Sequence, residues 1–160
     1  VSFARFSALD DCLRRQILAG ERLLETLRTE TEALRKGAAA DIEAVLPPKQ
    51  AALDAFQALD TEREHLLKES GWTADQGTPA EWLSRQDHPA RDAALASWRR
   101  LLELAAECGR QNLVNGALIQ AGLRHSRQLI ELLSGRLPEE SPAYGPAGAR
   151  ATSGHSLGKA

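Results

Sequence analysis

Residues 7–36 read SALDDCLRRQILAGERLLETLRTETEALRK, and their apolar positions recur as the covered face of a helix does. Counting from Phe6, the line Phe6, Leu13, Gly20, Leu27, Leu34 steps by seven, and Ile17 and Leu24 form a second line beside it. Alternating gaps of three and four residues put both lines on one side of an α-helix, and Leu9 and Leu23 widen the stripe. Ser7 suits the cap position at the start, and Gly37 suits a left-handed turn that ends the run. The pattern predicts a helix over 7–36. Asp10, Gly20 and Thr31 fall on the same seam and weaken it locally.

Outward from this stretch the chain keeps to helical grammar. Ala38-Ala39-Ala40-Asp41 begins a short turn of helix, which the pair Pro47-Pro48 then predicts to break, because the residue before a proline is pushed out of the helical region. Pro48 suits the first turn of a second helix over 48–69, with Leu53, Phe56, Leu59, Leu66 and Leu67 inward and Ser70-Gly71 as its stop. Residues 72–88 read as a linker with one amphipathic fragment, Pro79 to Arg85, carrying Trp82 and Leu83. A third helix is predicted over 89–134, about 70 Å long at 1.5 Å per residue. Its seam runs through Trp98, Leu101, Ala105, Cys108, Asn112, Asn115, Ile119, Gly122, Ser126, Leu129 and Leu133. Residues 135–160 turn to Gly, Pro, Ser and Ala and predict a disordered tail, since such a segment buries too little to offset its ordering entropy.

The expected architecture is therefore all-α. Long antiparallel helices form a coiled-coil-like three-helix bundle over 1–134, followed by a flexible tail. Composition agrees: among 160 residues only 4% are aromatic and 26% are charged, as in long helices, and no run of alternating β-branched residues occurs.

Charge and motif content narrow the function. The net charge is −2 with the signs interspersed, so no basic stripe is set to neutralise phosphates, and nucleic acid is not an expected partner. No stretch has the roughly 18 apolar residues that span a bilayer, so no membrane insertion is expected. Val1-Ser-Phe-Ala-Arg-Phe6 lacks the apolar core of a secretory signal, which predicts a soluble, unexported, cytoplasmic protein. Cys12 and Cys108 belong to no CxxC pair and read as small buried hydrophobes. The four histidines lie in separate segments without ligand spacing; His65, a turn from Glu62 and Glu69, reads as an ordinary surface residue. No nucleophile–base pair, phosphate loop or dinucleotide fingerprint occurs. The expectation is a non-enzymatic binding protein without metal or cofactor.

What remains is apolar surface. Leu118, Ile119, Leu123, Leu129, Ile130 and Leu133, with Leu132, spread over about half the helix circumference at 100° per residue. Such a width fits a helix touching two bundle neighbours. It equally fits one that packs on the bundle with one side and receives a partner's amphipathic segment on the other. Asn112 and Asn115 read as polar seam residues that fix register. Gly109, Gly116 and Gly122 weaken the helix by up to about 1 kcal/mol each, which points to close helix approach or to a hinge.

Several stretches together resemble the FlgN family. They are Asn112-Leu-Val-Asn115-Gly116-Ala-Leu-Ile119, then Leu129-Ile-Glu-Leu-Leu133, a short Pro-containing spacer, and Tyr144-Gly145-Pro-Ala-Gly148. Upstream, Glu32-Ala33-Leu34, Asp41 and Lys49 ahead of Leu53 fall where that family has comparable residues. The resemblance implies a cytoplasmic chaperone of bacterial flagellar type III export. Such a protein binds the C-terminal regions of the hook-filament junction proteins FlgK and FlgL, keeps them soluble and pilots them to the export gate protein FlhA. It implies that the face of Leu118, Ile119, Leu123, Leu129, Ile130 and Leu133 is the client surface, and that Tyr144 docks on the gate. Pro146 departs from the acidic residue common at that place in the tail motif. The residues by themselves leave a second reading open, an oligomeric coiled-coil scaffold or adaptor with no export role.

Overall fold

A computed structural model of the chain describes residues 3–134. The Tyr-Gly-x-x-Gly motif, Tyr144 and the whole tail expected over 135–160 lie outside the described residues. The chain divides into two units, Val1–Arg124 and His125–Ala160. The described residues are helical, with no strand among them: α1 spans Phe3–Lys36, α2 Ala39–Glu69, α3 Pro79–Ser84 and α4 Arg91–Leu133. A single 3-10 turn, Ala74–Gln76, lies between α2 and α3. The third helix of the sequence reading is α4, which enters the second unit at His125.

Within the first unit, α1 and α2 form an antiparallel hairpin. Gly37, at φ +68°, turns the chain, and Arg5 at the start of α1 donates to the Glu69 carbonyl at the end of α2. α4 then runs beside α1 in the same direction: Glu21 faces Arg100, Leu27 and Thr31 face Asn115, and Gly20 faces Leu104. Gly20 is where the three helices close up. A Cβ there would stand 3.2 Å from the Phe56 ring of α2 and 3.7 Å from Leu104 of α4. The seam glycine that looked like a weak point is the residue that lets the helices meet.

The core sits at the end where α2 finishes and α4 begins. Phe6, Leu9, Leu13, Leu67, Trp82, Leu83, Ala94, Trp98 and Leu101 form one buried cluster. Trp82 and Leu83 come from α3, which the sequence shows only as an amphipathic fragment. Thr78 and Glu81 close a capping box at its start, with Pro79 in the first turn. Against the cluster, Gln16 of α1 donates to Asp60 and accepts from Arg63, whose guanidinium lies 5.1 Å from the Trp98 ring centre.

Two boundaries differ from the sequence reading. α1 begins at Phe3, so Ser7 lies inside the helix and caps nothing. More consequentially, the break expected at Pro47-Pro48 does not occur: the helix expected over 48–69 starts at Ala39 and runs through both prolines. The prolines remove two hydrogen-bond donors, but the chain is held on either side of them. Val45 is buried, and the Lys49 ammonium lies 2.8–2.9 Å from both oxygens of the buried Glu30 carboxylate on α1. Tertiary contacts outweigh the local penalty.

Candidate functional site

The face of α4 that meets the hairpin is buried at Ala94, Trp98, Leu101, Leu104 and Asn115. Asn112 and Ala105, expected on the seam, are instead exposed, because the covered arc is centred nearer Leu104. The last covered position is polar and fully engaged. Asn115, 1% exposed, donates from Nδ2 to the Leu27 carbonyl at 2.9 Å and to Glu30 Oε2 at 2.7 Å. Its Oδ1 lies 2.5 Å from the Thr31 hydroxyl, which accepts in turn from Gln111 Nε2 at 2.6 Å. Through Glu30 the network reaches Lys49, so one connected set of polar groups ties α1, α2 and α4 together. The sequence marks Asn115 and Thr31 as seam residues and Lys49 only through the family resemblance; Glu30 and Gln111 carried no signal, since their pairing depends on which helix stands opposite.

That network also fixes where cover ends. Asn115 stands level with Leu27, Glu30 and Thr31, and α1 stops at Lys36, little more than a turn later. Ile119 and Leu123 follow Asn115 at i+4 and i+8 and therefore share its face. Asn115 is buried, whereas Ile119 is 40% and Leu123 47% exposed, with Leu118 half-buried. Burial between bundle neighbours, one of the two readings open from periodicity, is thus not the fate of this stretch. In the second unit, Leu129, Ile130 and Leu133 are exposed on the last turns of α4, Leu133 at 88%. Tyr144, the remaining residue singled out from the sequence, lies outside the described residues.

Elsewhere among the described residues the side chains offer little chemistry. Burial pushes the Cys12 thiol up to about 11, and the Cys108 thiol is raised by the same cause, so both are neutral thiols at physiological pH. Their sulfurs lie 3.7 Å from the Leu59 and Gly20 carbonyls respectively, as packed hydrophobes with weak donors. His65 pairs with Glu69 at 3.3 Å on an exposed helix face. No group of three or more metal-ligating side chains occurs among the described residues. Nor is any helix among them long and apolar enough to cross a membrane.

Comparison with known families matches residues 5–152 to the model described as FlgN protein. Comparisons with curated proteins and with solved structures returned no match.

Proposed function

Because the chain belongs to the FlgN family, and so to the chaperones of flagellar export, we propose that its clients are the C-terminal regions of FlgK- and FlgL-like hook-filament junction proteins. It holds these soluble in the cytoplasm and pilots them to an FlhA-like export gate. The single observation that supports this reading is the apolar stretch of α4 that follows the Asn115 network and has no cover. An amphipathic client helix exposes an apolar stripe until it pairs in the assembled filament, and such stripes aggregate. Leu118, Ile119 and Leu123, with Leu129, Ile130 and Leu133 further along the helix, offer the complementary apolar residues for a helix laid alongside. No chemistry is needed for that task.

The test replaces Ile119, Leu123 and Ile130 together with Asp and titrates the variant with a junction-protein C-terminal segment. These side chains are exposed, so the thermal melt stays where it is while binding is lost. A folded variant that still binds moves the client surface elsewhere.

Gate docking rests on Tyr144, the chain's one tyrosine. An aromatic seated in a partner's pocket supplies about 2 kcal/mol or more. Tyr144→Ala therefore leaves stability and client affinity intact and weakens binding of the loaded complex to the cytoplasmic domain of the gate. Equal calorimetric affinities for the two proteins would remove Tyr144 from the mechanism.

A further inference from the structure

The uncovered part of α4 differs from the rest of the helix in charge as well as in cover. Residues 108–133 carry Arg110, Arg124 and Arg127 against a single acid, Glu131, in a chain whose net charge is −2. Earlier in α4, Arg91, Arg99 and Arg100 are balanced by Asp92, Glu103 and Glu107, and each of those acids lies within ion-pair distance of an arginine. The Arg124 and Arg127 guanidiniums are exposed and have no ion-pair or hydrogen-bond partner among the described residues.

Their own helix does not account for them. A turn away in either direction, Arg124 has Gln120, Ala121, Arg127 and Gln128, so its one charged neighbour is another arginine. Like charges three or four residues apart on a helix repel. Arg127 has Glu131 four residues on, with no ion pair between them. The negative end of the helix dipole does not explain the arginines either, because its reach is the last turn. That turn of α4 holds no base, and Glu131 is its one charge. Two exposed like charges without a counter-charge are an unfavourable arrangement, which a carboxylate beside them relieves.

Their places beside the apolar residues say what carries that carboxylate. At about 100° per residue, Leu129, Ile130 and Leu133 share one arc, and Arg127 lies about 60° outside it beyond Ile130. By the same count Arg124 lies about 100° from Leu123, again off the apolar side. The arginines border the apolar residues and do not interrupt them. A small free anion would find no enclosing donors on so exposed a surface. An amphipathic helix with acids along one edge satisfies the apolar residues and the arginines together.

We propose that the client segment taken up by this end of α4 is acidic, with carboxylates beside its apolar stripe that pair with Arg124 and Arg127. The leucines and isoleucines hold the segment, and the two arginines select it by charge. This rests on the client reading of the α4 face given above and adds the chemical class of the client. Charges at the rim of an interface act chiefly on the association rate and on the choice of partner, so a segment flanked by Lys is turned away.

The experiment titrates the chain with a FlgK-like junction-protein C-terminal segment at low and at high salt. Three proteins are compared: wild type, Arg124→Gln with Arg127→Gln, and Arg124→Glu with Arg127→Glu. Charge reversal weakens binding roughly tenfold at low salt, mainly through slower association, and the loss shrinks at high salt. Neutralisation falls between the two, and the thermal melts are unchanged. Changing the segment's flanking acids to Lys weakens binding to wild type and restores binding to the Glu variant. A loss of helical preference alone would give no such rescue. Binding indifferent to charge reversal, a failed rescue, or a loss that is the same at every salt concentration overturns the proposal. So does a segment without flanking acids that binds equally well. If Ile119, Leu123 and Ile130 changed to Asp still abolish binding in those cases, the client surface stands without charge selection. Binding that survives that triple substitution takes both readings down. Binding of wild type to phosphatidylglycerol vesicles but not to the acidic segment overturns the proposal too, and would assign the arginines to a membrane surface.

Discussion

Asn115 gives up its water for three groups at once, and the cost of removing it follows from what would be left behind. Its amide satisfies the Leu27 carbonyl, one oxygen of Glu30 and the Thr31 hydroxyl, and Glu30 and Thr31 are themselves 4% exposed. Asn115→Leu supplies apolar volume suited to a helix seam, yet it takes one hydrogen bond from each of those partners, which keep only their bonds to Lys49, Gln111 and within α1. Each lost bond costs about 1 kcal/mol, so a loss of about 3 kcal/mol overall is expected in denaturant melts. A gain in stability on this substitution would mean that the network is not formed. Lys49 belongs to the same unit, because a buried Glu30 without its ammonium would be a lone charge.

At the scale of the helix, α2 shows the strongest conflict between local preference and tertiary packing. Pro47 and Pro48 leave the carbonyls of Glu43 and Ala44 without their helical donors. Either proline changed to Ala restores one hydrogen bond and removes one steric clash, against a smaller gain in unfolded-chain entropy. A stabilisation on the order of 2 kcal/mol is expected for each, read from the melting midpoint. Destabilisation by both would mean that the chain bends at this point and needs the bend. The same conflict explains how far the sequence could be read. The heptads of α1 depend on spacing alone and were legible; on α4 the same spacing found Trp98, Leu101 and Asn115 but misplaced Ala105 and Asn112. The prolines misled because what overrides them, Val45 packing and the Lys49–Glu30 pair, comes from another helix. Ser7 misled for a related reason: a capping residue is only a candidate until the true start of the helix is known. At the site, periodicity could show that Ile119 and Leu123 share a face with Asn115. It could not show that α1 stops at Lys36, and that register decides whether the face is core or surface.

Over the whole molecule stability is concentrated at one end, and hydrogen exchange should report the gradient. The buried cluster joins α1, α2, α3 and the beginning of α4, and the last buried residue on α4 is Asn115. From Ile119 to Leu133 every residue is exposed. These roughly fifteen residues are held chiefly by their own backbone bonds, which is marginal for a helix in water. Gly116 and Gly122 lower the helical preference further. Amides of α1 between Leu9 and Leu27 should therefore exchange only by global opening. Those of Ile119–Leu133 should exchange within about tenfold of the unprotected rate. Addition of a junction-protein C-terminal segment should slow exchange across Ile119–Leu133, as the apolar side chains gain a partner and the helix gains tertiary support. Full protection of that stretch in the client-free chain would mean that it is already covered. Unchanged exchange in a saturated complex would mean that the client binds elsewhere. Either result would sink the assignment of this end of α4 as the client surface, while the family membership would stand.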